Sequence, residues 1–243
     1  MEHQPRVFLR ARWAWLAMLH YPVPPSLLEP HLPPGTEPDL WEGRAFASLV
    51  GFLFQRTRVL GVPVPFHRDF EEINLRFYVR RRHGEGWRSG VAFIREFVPR
   101  AAIAAAARWL FGERYAAVPT AHRLELDSGG VAGAEYRWRA HGRWHRLAAR
   151  AAGKPFLPAP GSEESFLVDH RWGYSRAADG ACLEYEVEHA PWAVRAAAGA
   201  CFDGDGEALY GPGWGPVLAA PPSLALLVEG SPVRVRWGRR LNP

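Results

Sequence analysis

Strict alternation of apolar and polar positions recurs along the chain. In EINLRFYVR (72–80), Ile73, Leu75, Phe77 and Val79 share one side of an extended strand, and Glu72, Asn74, Arg76 and Tyr78 share the other. LEYEVEHAPW (183–192) alternates in the same way, and SPVRVRWGRR (231–240) closes the chain as another strand. AFASLVGFLF (45–54) is a mostly apolar run behind the turn candidate Glu42-Gly43, and WRSGVAFIREFV (87–98) follows the turn-like HGEG. AEYRWRAHGRWHRLAAR (134–150) is interrupted at His141-Gly142, which predicts a hairpin.

Helical signals are few. PPSLLEPHL (24–32) is short and bounded by prolines, and RAAIAAAARWLFG (100–112) has Pro99 ahead of it and Gly112 in the stop position. Ser162 can cap a short helix through EESFL, and PPSLALLVEG (221–230) is a further helical candidate. GVPVPF and GKPFLPAPG mark loops, but none is long or polar enough for a linker, and no internal repeat is present. The expectation is one domain over residues 1–243. Its class is α+β, mainly β: a large antiparallel sheet rolled into a barrel or cone, with a few helices packed on its side.

Composition narrows the class further. Hydrophobic content of 48% with 13% aromatics excludes wholesale disorder. A net charge of +5 leaves basic groups prevailing without dominating. Lys154 is the only lysine, so 29 of the 30 Lys+Arg residues are arginine. Asn, Gln, Cys and Met occur twice each, and such scarcity of heat-labile side chains suits a thermophile. No apolar run approaches the ~18–20 residues of a membrane span, so no membrane partner is expected. WAWLAMLHYPV follows two arginines but is short, rich in tryptophan and without a small-residue cleavage site, which predicts a cytoplasmic chain. Cys182 and Cys201 fit reduced core residues, with one disulfide left open. His141 and His145 flank a turn without a third ligand at recognisable spacing, so neither metal nor cofactor is expected.

Several long stretches, in order, carry a family resemblance: LHYPVPPSLLEPHLPPG (19–35), LWEGRAFASLVGF, VPVPFHRDFEEINLRFYV, FIREFVPR, WGYS, YEVEHAPW and EGSPVRV (229–235). The sequence resembles the YqjF-like family of uncharacterised bacterial proteins, within the acetoacetate decarboxylase-like superfamily. The resemblance implies an antiparallel barrel or cone with a central cavity. Decarboxylases of that superfamily form a Schiff base through a lysine that follows a proline shortly after Arg-Glu, with a second lysine beside it. Here Arg95-Glu96 and Pro99 fit, but the next residues are Arg100 and Ala101. A guanidinium stays protonated and offers no free amine, so Schiff-base decarboxylation is not expected. Lys154, in the loop GKPFLPAP, is no evident substitute.

Candidate chemistry lies on the polar faces, each with a structural alternative. Glu72, Asn74 and Arg76 point into the barrel interior if the apolar face of their strand packs on helices; otherwise they point into solvent. Facing inward, they combine acid/base capacity with an anion clamp. Arg95 shares strand parity with Val91, Phe93 and Phe97 and is a candidate for burial against Glu71 or Glu72, while Glu96 points the other way. Arg95 and Arg100 either hold a substrate anion or pair with glutamates. His67, in a proline-bounded loop, and His170, Trp172 and Tyr174 are cavity-mouth candidates whose alternatives are a solvated loop and aromatic core packing. The hairpin 134–150 has arginines among Tyr136, Trp138 and Trp144, the composition of a nucleic-acid platform or, more commonly, of a solvated hairpin with arginines over rings.

These features predict a barrel that takes a small-molecule ligand, an anionic organic acid or related metabolite, in its interior. If it is an enzyme, the chemistry is non-covalent proton transfer on a carbonyl or enol. Glu72 or Glu96 then carries the proton, and Asn74, Arg76, Arg95 or Arg100 holds the ligand. The alternatives are a non-catalytic binding protein using the same cavity and, lower, nucleic-acid binding. Whether the chain forms a homo-oligomer is left open.

Overall fold

The computed structural model describes residues 5–241. The strands are β1 (Val7–Val23), β2 (Thr36–Pro38), β3 (Ala45–Val59), β4 (Val62–Pro63), β5 (Phe70–His83), β6 (Gly86–Val98), β7 (Tyr115–Ala117) and β8 (Thr120–Asp127). They continue with β9 (Gly130–Ala140), β10 (Arg143–Ala151), β11 (Trp172–Arg176), β12 (Cys182–His189), β13 (Val194–Asp203), β14 (Leu224–Arg236) and β15 (Arg239–Leu241). Helices are α1 (Pro25–Leu28), α2 (Ala101–Phe111), α3 (Glu163–Val168), α4 (Gly206–Tyr210) and α5 (Trp214–Ala219).

Seven strands close a ring in the order β14–β1–β3–β5–β6–β11–β12, with β12 returning to β14. Closure depends on β14 being long enough to serve two neighbours on one edge. Its first part pairs with β13 (Val228 opposite Val194), and its last part pairs with β12 (Val235 opposite Val187). The changeover lies near Gly230, whose φ is 79°; a Cβ there would come within 2.0 Å of the Trp13 carbonyl oxygen, so only glycine fits. Strands β13, β10, β9 and β8 run on from β14 as a second layer. The result is a ring of strands rather than a strict barrel.

Both faces of the ring strands are buried, because the second layer covers one and the interior encloses the other. On β5, Ile73, Leu75 and Phe77 pack outward against a core that includes Tyr136, Trp138 and Leu147 of the second layer. On β1 and β3, Leu16, Met18, Val50, Phe52 and Phe54 turn inward to a separate interior core. Helix α2 connects β6 to β7, with Ala104 and Phe111 seated in that interior core.

Several expectations change. PPSLALLVEG is not helical: Leu224–Arg236 is β14, whose first half is buried on both faces and therefore lacks alternation. The closing strand breaks after Arg236 and resumes at Arg239. The pairings β6–β7 and β6–β11 are parallel, so the sheet is mixed rather than wholly antiparallel. A sheet layer, not a set of helices, covers most of the outer face. WAWLAMLHYPV lies inside β1, between β3 and β14 in the ring. Tyr136 and Trp138 are fully buried, so they are core residues and present no stacking platform to bases. Cys182 and Cys201 are free. No helix among the described residues is long and apolar enough to cross a membrane.

Candidate functional site

The ring interior contains a cavity of about 270 Å³. Strand β5 delivers Glu72, Asn74 and Arg76 to it on alternate positions, all three buried. Strand β6 delivers Glu96, the segment after α2 delivers Glu113 and Tyr115, β12 delivers Tyr185, and His170 approaches from the loop before β11. Apolar side chains form the rest of the wall, among them Trp13, Phe52, Phe54 and Phe70, with Ala106 and Leu110 of α2 on the opposite side.

A backbone irregularity brings Glu96 to this face. The β5–β6 register shifts at Leu75/Arg76, so Phe93 and Glu96 share the cavity side although three positions apart. Strand parity alone had assigned Arg95 to the side of Val91 and Phe93 and turned Glu96 away; the shift reverses both. Arg95 is half-buried in the outer core and donates to the Leu209 carbonyl at 3.3 Å. It does not pair with Glu71 or Glu72. Glu71 instead accepts from Thr120 Oγ1 at 2.8 Å and bonds the His122 ring at 2.7 Å.

Three carboxyl groups meet in the cavity wall. Glu72 accepts from Asn74 Nδ2 at 2.9 Å and from the Tyr115 hydroxyl at 2.7 Å. Glu113 accepts from the Tyr185 hydroxyl at 2.7 Å, and Glu96 lies within hydrogen-bonding reach of Glu113. Burial raises all three proton affinities, and neighbouring carboxylates add to this for Glu96 and Glu113. Glu72 is pushed up to about 7 and Glu113 to about 8, while Glu96 lies well above the usual carboxylate range.

Arg76 stands at the other end of the polar strip. Its Nη2 donates to the Leu167 carbonyl at 3.3 Å, and its Nε has no partner. It forms no salt bridge among the described residues. Burial, followed by the nearby guanidinium charge, lowers His20 and His170 to about 3, so both imidazoles are neutral. His20 belongs to a relay behind the cavity: its Nδ1 bonds Ser48 Oγ at 2.6 Å, and Ser48 bonds the Tyr78 hydroxyl at 2.6 Å.

Among the described residues, twelve buried side-chain polar atoms lack a hydrogen-bond partner, and six of them line this one cavity. They are Trp13 Nε1, Thr57 Oγ1, Asn74 Oδ1, Arg76 Nε, Glu96 Oε2 and His170 Nδ1. Each costs free energy unless something satisfies it, and their concentration around a single space is the mark of a site.

Of the residues singled out from sequence, the structure brings Glu72, Asn74, Arg76, Glu96, His67, His170 and Trp172 to the cavity. Tyr174 packs in the outer core and donates to Glu184 Oε2 at 3.0 Å. Arg100 is exposed at the start of α2. Lys154 lies exposed in the loop after β10, away from the cavity. The sequence reading missed Glu113, Tyr115, Tyr185 and His20. Tyr185 had a legible signal, since it alternates with Val187 on a strand; Glu113 and Tyr115 follow a helix stop, where side-chain direction has no period to reveal it. No group of three His, Cys, Asp or Glu side chains with metal-binding geometry occurs among the described residues.

The ring is similar in fold to several solved enzymes. Acetoacetate decarboxylase from Legionella pneumophila subsp. pneumophila str. Philadelphia 1 superimposes with a TM-score of 0.70 at 12% identity, over 100% of this chain and 90% of that one. The enduracididine biosynthesis enzyme MppR complexed with pyruvate gives 0.67 at 16% identity, over 99% and 92%. An acetoacetate decarboxylase-like enzyme from Sphingomonas wittichii RW1 gives 0.65 at 15%, over 98% and 94%. Among curated proteins, the uncharacterized protein YqjF of Bacillus subtilis (strain 168) is 36% identical over 72 residues, a match covering 29% of this chain and 30% of YqjF. The model of the DUF2071 family, uncharacterized conserved proteins, matches residues 10–232, and the chain therefore belongs to that family.

Proposed function

We propose that the chain binds a small oxo acid inside the ring and exchanges protons with it by non-covalent acid/base chemistry. The carrying observation is the set of unpartnered polar atoms around one cavity, above all the buried, unpaired guanidinium of Arg76. A carboxylate there gains charge-assisted hydrogen bonds that the protein itself does not supply. The likeness to an enzyme that holds pyruvate supports the same class of ligand.

With the acid group at Arg76, the ligand's carbonyl and the carbon beyond it fall along the Glu72–Glu96 strip. Glu72, pushed up to about 7, is partly ionised at neutral pH and serves as the base. Glu96, whose hold on its proton is strengthened by burial and then by the Glu113 and Glu72 carboxylates, has a free Oε2 and serves as the acid. A C–H bond on the carbon next to the carbonyl (the methyl carbon of pyruvate) breaks, its proton goes to Glu72, and Glu96 gives a proton to the carbonyl oxygen, leaving an enol. Reversal returns both protons. No covalent adduct is involved, since the only lysine is exposed in a loop.

Incubation with pyruvate in deuterium oxide, followed by NMR, reads this step directly. The protein should accelerate exchange of the methyl protons, Glu72→Gln should lose the exchange yet keep pyruvate affinity, and Arg76→Met should weaken binding by roughly tenfold or more. Absence of pyruvate binding, or unchanged binding in Arg76→Met, would refute the site. Binding without exchange would leave the second reading, a non-catalytic binding protein using the same cavity.

A further inference from the structure

We propose that the ligand carries an unbranched hydrocarbon tail, which runs from the polar strip along α2 and out beside the loop 60–67. This rests on the oxo-acid reading above and specifies its substrate class. A three-carbon acid spanning Arg76 to Glu96 would reach no further than Phe52, the cross-strand partner of Glu72, and would leave uncontacted the next row of the wall, in which Phe54 pairs with both Trp13 and Phe70. Across from them, α2 turns Ala102 and Ala106 to the space, an i, i+4 pair in which small side chains leave room for a chain to pass.

The apolar surface does not end at the opening. Val64 and His67 line the cavity, and their neighbours Val62 and Phe66 are 64% and 87% exposed. Phe66 is held in the left-handed region at φ 62°, a conformation that bulky side chains rarely adopt. On the helix side Trp109 continues the row of Ala102 and Ala106 and is 84% exposed. An apolar track therefore leads from a buried acidic strip to exposed rings on both flanks of the opening. Its shape and chemistry match one amphiphile: acid head inside, extended hydrocarbon along α2, chain end at the rim.

Calorimetric titration of the full chain with pyruvate, 2-oxobutyrate, 2-oxohexanoate and 2-oxooctanoate tests the tail separately from the head. The dissociation constant should fall by roughly fourfold for each methylene that enters the track. Ala106→Trp, which fills the track with an indole, should abolish that gain, so that affinity no longer rises from pyruvate to 2-oxooctanoate. Pyruvate binding with affinity independent of chain length would overturn the tail while sparing the oxo-acid site. An unchanged length dependence in Ala106→Trp would overturn the path along α2. If none of the acids binds, both the head site and the tail fall together.

Discussion

The Tyr185 hydroxyl donates to Glu113 Oε1 at 2.7 Å, tying β12 to the residue just beyond the stop of α2. Both partners are buried, so neither has water as a ready substitute. Tyr185→Phe keeps the ring, which packs against Phe111, and removes only the donor. The lost bond should cost about 1–3 kcal/mol. For a chain of this size that lowers the melting temperature by roughly 2–12 °C. It should also raise the proton affinity of Glu113 further, because the Tyr185 bond offsets part of the effect of burial. Scanning calorimetry measures the first effect and carboxyl NMR titration the second; an unaltered melting temperature would mean that the bond contributes nothing in solution.

Stability should peak in a narrow window of pH, because two sets of buried groups act in opposite directions. Glu72 and Glu113 have folded-state values raised to about 7 and about 8 from 4.5, so the stability they contribute is full below 4.5 and is lost as pH rises through 7 to 8. His20 and His170 are lowered to about 3 from 6.5, so theirs is full above 6.5 and lost as pH falls toward 3. The maximum therefore falls between these limbs, in mildly acidic solution. Denaturant unfolding across pH 4–9 should trace it, and Glu113→Gln should flatten the alkaline limb while leaving the acid limb in place. Identical alkaline limbs for the parent and the variant would remove Glu113 from the account.

The elements with strict alternation were legible in the sequence, and those shaped by long-range packing were not. EINLRFYVR gave both the strand and its two faces, because one face meets a core and the other a polar cavity. Its companion WRSGVAFIREFV gave the strand but reversed the facing of Arg95 and Glu96, since a register shift leaves no mark in composition. WAWLAMLHYPV and the ALLV part of PPSLALLVEG are buried on both faces and carry no period, which hid β1 and the first half of β14, whereas the half that closes the ring lies in SPVRVRWGRR and was legible as a strand. The cavity's oxygen partners from outside the ring strands, Glu113 and Tyr115, could be found only after folding placed the end of α2 against β5.

Gly51 of the ring packs directly against Tyr136 of the second layer. A Cβ added there would lie 2.6 Å from Tyr136 Cδ2, and the Tyr136 hydroxyl is itself fixed by donating to the Trp15 carbonyl at 2.6 Å. Gly51→Ala should therefore destabilise by about 1–3 kcal/mol, since a pinned ring cannot yield to the methyl group. Tyr136→Leu will carry a cavity cost of its own, but adding Gly51→Ala to it should cost less than adding Gly51→Ala to the parent. A double-mutant cycle by chemical denaturation gives the coupling, and strict additivity would place the strain elsewhere.

Arg100 follows Pro99 at the place where the resemblance implies a catalytic lysine, yet the structure leaves it exposed at the first turn of α2. Its charge faces water, whereas the guanidinium of Arg76 is buried without a carboxylate partner. If position in the pattern decided function, Arg100→Ala would disable the site; if burial and lack of a partner decide it, only Arg76 matters. Arg100→Ala and Lys154→Ala should each leave pyruvate affinity within about twofold of the parent, the range expected of surface changes. Borohydride added during incubation with pyruvate should leave the intact mass unchanged, because imine formation needs a free amine near the bound carbonyl and the one lysine side chain is in an exposed loop. A reduced adduct on Lys154 would restore imine chemistry to the protein, and a loss of affinity in Arg100→Ala matching that of Arg76→Met would move the anion site to the start of α2 and away from the carboxyl strip.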